Sequence, residues 1–192
     1  MKYSFRCTLL MVWLQGMMAT TACAQQWSVK TNLLQDLTGT ASLGVEYSFS
    51  PHYSIDVSAA YKSWDFSKKR TWRMLAVQPE LRYWFCERQN GHFIGVHGHW
   101  AKFNVGNMKM PWGLWNNLEL YRFQGDLWGA GFCYGYDWLL SKHWNLEAVV
   151  GVGYARVFYD QYPCADCGRK MDSDKKNYWG PTKLALSLVY LF

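Results

Sequence analysis

Two imidazoles lie two residues apart, at His97 and His99, and they form the one histidine cluster in the sequence. A histidine that lies beside a nucleophile acts as its general base in hydrolases and acyltransferases. No serine with a carboxylate is recognisably placed near this pair. The pattern therefore supports an enzyme only weakly, as the alternative to a non-enzymatic protein, and no motif predicts a cofactor or a complete metal site.

A second reactive motif is Cys164-Ala-Asp-Cys167. A zinc site would need two more ligands, and residues 160–177 contain no other cysteine and no histidine. A thioredoxin-like redox pair would need a βαβ context, which the surrounding pattern lacks. We favour a disulfide between Cys164 and Cys167, as expected in an oxidising compartment. Cys86 and Cys133 are predicted to be buried free thiols.

The first 24 residues predict a secretory signal peptide. Lys2 and Arg6 supply the positive start, residues 9–18 form a short apolar core, and Ala22-Cys23-Ala24 fits the small-x-small cleavage rule. Lipid attachment at Cys23 is the alternative. It is disfavoured because Thr20 occupies the position where a lipoprotein signal has a larger apolar residue.

From residue 27 onward, large apolar side chains alternate with small or polar ones, which is the period of a β-strand. The last eleven residues place Thr182, Leu184 and Leu186 on one face and end on an aromatic, as outer-membrane barrels do. We predict an eight-stranded antiparallel transmembrane β-barrel of the all-β class (OmpA/OmpX-like) over residues 25–192, with a secreted β-sandwich as the alternative. The predicted strands are Trp27–Leu34, Ala41–Phe49, Tyr53–Trp64, Met74–Cys86, His92–Phe103, Asp126–Leu140, Trp144–Tyr159 and Thr182–Phe192.

The connections between these segments alternate in length. Short turns follow the second, fourth and sixth predicted strands, whereas long connections follow the third, fifth and seventh. Bacterial barrels have short turns in the periplasm and long loops outside the cell. Pro79 interrupts the fourth strand, and we expect a bulge or kink there because proline cannot donate to the ladder.

The interior of an eight-stranded barrel is just wide enough to be filled by side chains. Several charged residues fall on the inward face, and charges removed from water are stable only when they are paired. We therefore predict a lumen network formed by Glu46, Glu80, Arg82 and Glu147, and no open pore. A small solute pore is a less favoured alternative.

Two apolar features are predicted outside the lumen. Aromatic residues near the short turns should form a girdle at the periplasmic interface. The third outer loop is unusually apolar, which indicates either a lid over the barrel or a partner-binding surface. The girdle residues are Tyr53, Phe85, Trp138, Trp144, Tyr190 and Phe192, and the candidate binding residues are Met110, Trp112, Leu114 and Trp115.

The composition agrees with a barrel and argues against a nucleic-acid protein. Twelve Trp, 13 Tyr and 10 Phe coexist with a mean hydropathy of −0.23, as expected when lipid-facing and inward residues alternate. The net charge of +6 comes from scattered basic residues rather than a basic stripe, so no nucleic-acid partner is expected.

Several segments together resemble a domain-of-unknown-function family of small outer-membrane barrels from anaerobic Gram-negative bacteria, and the match spans essentially the whole mature chain. The segments are Lys30–Leu34, Gln78–Trp84, Asn90–Phe93 with Gly95–His97, Gly131–Trp138, Trp144–Glu147 with Gly151–Arg156, Cys164–Gly168 and Asn177–Lys183.

The resemblance implies a single-domain barrel in the outer membrane. Members of the family are often encoded beside fimbrial or other surface-protein genes, which implies a role in surface assembly, and no catalytic residues can be transferred. The sequence therefore favours a non-enzymatic outer-membrane barrel that binds a surface or fimbrial protein through its loops. Its expected partners are outer-membrane lipid and, during insertion, the barrel assembly machinery. The alternatives are a lipid-modifying enzyme and a solute pore.

Overall fold

A computed structural model describes residues 26–67, 70–106, 122–162 and 172–192. In these ranges eight antiparallel strands close into a barrel, in which each strand pairs with its neighbours in sequence and β1 pairs with β8. The predicted eight-stranded barrel is confirmed. The strands are β1 (Trp27–Asn32), β2 (Ala41–Ser48), β3 (Tyr53–Ser67), β4 (Arg70–Trp84), β5 (Gly91–Gly106), β6 (Arg122–Leu139), β7 (Trp144–Tyr162) and β8 (Asp172–Leu191).

The alternation of the sequence becomes an alternation of exposure. In β2, for example, Leu43 is 59% exposed on the outside while Glu46 is 1% exposed on the inside. Successive side chains of a strand point to opposite faces, so a closed sheet sends one set outward and encloses the other. The outside of this barrel therefore carries many exposed apolar residues, whereas a group of charged residues is buried in the lumen.

The strands extend further on the side of the long connections than the sequence pattern predicts. β6 begins at Arg122 rather than at Asp126, and β8 begins at Asp172 rather than at Thr182. The outer part of β8 lacks apolar alternation, but its backbone still pairs with β7, as in Gln161 with Asp172. Ladder hydrogen bonds supplied by a partner strand do not depend on that alternation.

The first outer connection contains a short helix that was not predicted. β1 ends at Asn32 instead of Leu34, and α1 spans Leu33–Leu37. The Asn32 side chain accepts a hydrogen bond from the Leu34 amide at 3.1 Å, which caps the helix. Among the described residues, no helix is long and apolar enough to cross a bilayer.

Of the bulge or kink expected at Pro79, the bulge is wrong. The register between β3 and β4 passes through Val57 and Pro79 without a shift, and the pairing with β5 resumes in the same register beyond this point. Pro79 is tolerated because Gln78 and Pro79 form no pairing with β5, so the missing N–H of the proline is not needed for the ladder.

An unpredicted bulge lies in β8. Gly151 pairs with Lys183 and Val152 pairs with Pro181, so Thr182 is the extra residue. The Thr182 hydroxyl lies 3.0 Å from His97 Nε2 inside the barrel. The prediction that Thr182 shares the outward face of Leu184 is therefore wrong, because the bulge turns two successive side chains inward.

Aromatic side chains cluster on the outer surface near the short turns. Tyr53 packs against Tyr83 with ring centroids 5.2 Å apart, and Trp144 packs edge-on against Tyr190 at 5.0 Å. Tyr190 in turn contacts Phe192 at 5.1 Å. The structure thus places the predicted girdle residues at the end where the chain makes its short turns.

Candidate functional site

The charged residues of the lumen are organised around Arg82. Its guanidinium Nε lies 2.6 Å from Glu80 Oε1, and Nη1 lies 2.9 Å from Glu46 Oε2. The same Nη1 also donates to Glu147 Oε2. The four residues of the predicted lumen network therefore come together, from β2, β4 and β7, because all four occupy inward positions at a similar height.

Two lysines extend this cluster. Lys30 Nζ, from β1, lies 2.6 Å from Glu46, 2.9 Å from Asp56 and 3.1 Å from Glu147. Lys183 Nζ, beside the β8 bulge, lies 2.7 Å from Glu80 Oε2. We call the complete set the ion network, and it consists of Lys30, Glu46, Asp56, Glu80, Arg82, Glu147 and Lys183.

The ion network is almost completely removed from water. Arg82 is fully buried, and the other side chains of the network are at most 7% exposed. Buried ions of this kind are stable only when their mutual attraction and hydrogen bonds offset a desolvation cost of several kcal/mol each. Within the network four carboxylates face three cations, so the net charge is −1 although every carboxylate contacts at least one cation.

An aromatic layer closes the lumen on the side of the short turns. Trp84 and Phe93 pack with ring centroids 4.5 Å apart, and the Arg82 guanidinium lies over the Phe93 ring at 4.5 Å. Trp84 Nε1 donates to Ser54 Oγ at 2.9 Å, so its polar atom is also satisfied. Closer to the turns, the Asn145 side chain donates to the Gln89 carbonyl at 2.8 Å.

A small cavity lies on the other side of the ion network. It has a volume of about 110 Å³, and its lining includes Asp56, Gln78, Thr182 and Lys183. A space of this size holds a few water molecules or an ion, not a metabolite. The strand side chains alone thus restrict passage at the level of Arg82.

The histidine pair lies inside the barrel, as its strand position predicts. His97 is buried, and its ring lies 5.7 Å from that of His99. Neither Nδ1 atom has a hydrogen-bond partner. Both rings are thus separated from the apolar outer surface by the barrel wall.

One contact near the ion network was not anticipated. Glu80, His97 and Cys133 each offer a ligand atom, and these three atoms lie within 4.8 Å of one another. They come from β4, β5 and β6, three adjacent strands. Sequence reasoning treated the three residues separately because the register between strands was unknown.

Sequence reasoning also missed two cations of the ion network. Period two places Lys30 on the face opposite Val29, and it places Lys183 on the inward face of β8, so the signal was present. Lys62 of β3 is also buried in the lumen, but it lies apart from the ion network: its ammonium donates to the Thr38 carbonyl at 3.0 Å. Lys30 and Lys183 could have been found by asking which inward cations pair with the predicted carboxylates.

The cysteines are placed in two different environments. Cys133 is a buried free thiol, as predicted, whereas the prediction that Cys86 is buried is wrong, because Cys86 is exposed in the turn that follows β4. Three sets of predictions lie outside the described residues: the signal peptide of residues 1–24, the Cys164–Cys167 disulfide, and the loop residues Met110, Trp112, Leu114 and Trp115.

Two solved structures of outer membrane proteins resemble this chain. The chain is 14% identical to outer membrane protein OprG of Pseudomonas aeruginosa, with a TM-score of 0.54 over 88% of this chain and 97% of that one. It is 13% identical to the Escherichia coli outer membrane protein W, with a TM-score of 0.48 over 88% and 98% of the two chains.

No curated protein sequence matches this chain. The family model described as "Protein of unknown function (DUF3575)" matches residues 8–192, which is nearly the full length. Because this match covers nearly the whole sequence, the chain belongs to the DUF3575 family.

Proposed function

We propose that this protein is a non-enzymatic barrel of the bacterial outer membrane that binds a partner through its surface loops. In this proposal the barrel is a rigid frame, and the partner is a surface or fimbrial protein that the loops anchor or help to assemble. The single observation that carries the proposal is that the ion network fills the lumen. Binding of a partner is therefore assigned to the outer surface and the loops.

The outer surface supports a membrane location. Large apolar side chains are exposed around the barrel, with Phe132 at 70%, Leu184 at 65% and Val152 at 62%. A continuous apolar surface is costly in water but is stable against lipid hydrocarbon. Lipid is therefore the proposed partner of this surface, and insertion by the barrel assembly machinery is the proposed route to it.

The outer end of the barrel supports a role in display. A transmembrane strand needs roughly 9–11 residues, whereas β7 has 19 and β8 has 20. The two strands stay paired as far as Gln161 and Asp172. The excess length extends the sheet beyond the membrane-crossing part, where β6 also pairs with β7 as far as Arg122 and Tyr162, and it presents exposed polar residues such as Lys176 and Asn177.

The lumen favours this proposal over an enzyme or a pore. A lipid-modifying enzyme needs its base at the lipid-facing rim, but His97 contacts Thr182 inside the barrel. A solute pore needs a continuous passage, but Arg82 fills the lumen with ion pairs to opposite walls. A nucleic-acid partner is not proposed.

The third outer loop is the proposed binding element, and its removal tests the proposal. Deleting residues 108–118 should reduce capture of surface or fimbrial proteins from cell envelopes by at least about tenfold, because burial of apolar and aromatic anchors dominates interface energy. A full-length variant with Met110, Trp112, Leu114 and Trp115 changed to serine should behave in the same way. Capture is measured by pull-down with the detergent-purified chain.

The matched control changes exposed apolar residues at the opposite end of the barrel. Leu139→Ser with Leu140→Ser alters the turn before β7 and should leave capture intact. Every variant must first show a heat-modifiable shift on a gel, which reports a folded barrel. Undiminished capture by the folded loop deletion would contradict the proposed function.

A further inference from the structure

We propose that Glu80, His97 and Cys133 form a binding site for a divalent transition metal of the zinc class inside the lumen. A carboxylate, an imidazole and a thiolate are the three side-chain types that bind zinc in proteins. The sequence predicted no metal site, because these residues lie on three different strands. This inference does not depend on partner binding by the loops.

The geometry fits a metal with modest adjustment. The three ligand atoms lie within 4.8 Å of one another, and a tetrahedral zinc site needs separations of ~3.5 Å between ligand atoms. The strands themselves are held in place by the ladder: Glu80 pairs with His97, and Gly95 pairs with Cys133. Small rotations of the side chains are therefore enough to close the site.

The histidine supplies an independent indication. His97 is completely buried, yet its Nδ1 atom has no hydrogen-bond partner. Its Nε2 atom is held by the Thr182 hydroxyl at 3.0 Å. A metal-bound histidine has this pattern, in which one ring nitrogen is fixed by an outer hydrogen bond and the other is free to bind the ion.

The surrounding charge tolerates a dication. The ion network, with Lys183 counted, has a net charge of −1, and loss of the Cys133 thiol proton to solvent on binding adds a second negative charge. One divalent ion balances both as long as the displaced Lys183 ammonium stays in the lumen beside the network. Glu80 Oε1 keeps its contact with Arg82 at 2.6 Å, while the ion replaces the Lys183 ammonium at Oε2.

The cavity provides a route to the site. Its lining includes Thr182 and Lys183, which contact His97 and Glu80 directly. The Lys183 ammonium can withdraw into this space when the ion takes its place. The bound ion would then link β4, β5 and β6 through side chains, in addition to the backbone ladder.

The test uses Co²⁺ as a spectroscopic substitute for Zn²⁺. The full mature chain, refolded in detergent without a polyhistidine tag, should bind one equivalent and develop a cobalt–thiolate charge-transfer band. Cys133→Ser should abolish the band, and His97→Ala should weaken affinity by at least about tenfold, as loss of a ligand requires. His99→Ala and Cys86→Ser are the matched controls and should leave both band and affinity unchanged.

Three results would overturn the site, the third of which applies if Cys133→Ser does not fold. One is the absence of a band from the folded wild-type protein at stoichiometric cobalt. Another is a band that survives Cys133→Ser and disappears in the double variant Cys164→Ser, Cys167→Ser. If Cys133→Ser does not fold, the wild-type chain decides, since equimolar Zn²⁺ must raise its urea midpoint; an unchanged midpoint rejects the proposal.

Discussion

At the scale of the residue, Arg82 is the cation that links most of the buried carboxylates in the lumen. One guanidinium contacts Glu46, Glu80 and Glu147, from three strands, and also lies over the Phe93 ring. A lysine could not replace it, because an ammonium lacks the planar fork that reaches several carboxylates at once. Residues that lie close together in this way have coupled rather than additive effects.

Replacing Arg82 should destabilise the folded barrel strongly. Arg82→Leu leaves three buried carboxylates without their main cation, and breaking a buried ion pair in this way costs about 3 to 5 kcal/mol. Arg82→Lys should lie between Arg82→Leu and the wild type. The measurement is the free energy of unfolding from reversible urea titration in lipid vesicles.

The control for Arg82 removes a cation from the surface. Lys102 is exposed on the outer face of β5, so Lys102→Leu should change the free energy of unfolding by less than about 1 kcal/mol. Equal effects of the two leucine substitutions would show that the ion network does not stabilise the barrel.

At the scale of the element, β6 and β7 approach each other through glycines that face the lumen. A Cβ added to Gly129 would overlap the Tyr154 carbonyl oxygen and lie 2.8 Å from Ala155 Cα. A Cβ added to Gly131 would lie 2.9 Å from Gly153 Cα. Glycine is required here because the backbones are too close for any side chain, and this closeness lets eight strands close around a narrow lumen.

Gly129→Ala should therefore destabilise the barrel by about 1 to 3 kcal/mol, the usual cost of overpacking. Gly98→Ala is the matched control on the adjacent strand β5, because its added Cβ would meet nothing nearer than 3.9 Å. Urea unfolding in vesicles compares the two. A Gly129→Ala barrel as stable as the Gly98→Ala barrel would contradict the close approach of the backbones.

At the scale of the whole molecule, the closed sheet leaves the apolar face outside and the charged face inside. The ion network and the Trp84–Phe93 pair form successive layers across the lumen. Both layers are built from strand residues, so closure of the lumen does not require the outer loops.

The intact protein should therefore form no stable channel in a planar lipid bilayer. The same should hold after deletion of residues 108–118, because the strand side chains that close the lumen remain. Single-channel recording measures this directly. Long-lived conductance steps in the loop deletion alone would show that the loop, and not the ion network, seals the barrel.

The sequence by itself determined the barrel and the direction of most side chains. Strand period two fixes which residues face lipid, and it correctly placed Glu46, Glu80, Arg82 and Glu147 in the lumen. These assignments depend on local backbone geometry, so they need no knowledge of partners. The outer extensions of β6 and β8 escaped this reasoning because their pairing comes from the neighbouring strand.

Tertiary structure alone decided which inward residues meet. The register between strands places His97 beside Glu80 and Cys133, and it brings Lys30 within reach of Glu147, 117 positions away. The β8 bulge turned Thr182 inward, and the outward alternation of Leu184 and Leu186 gave no sign of it. Register and bulges arise from closing the whole sheet on itself, and no single strand contains that information.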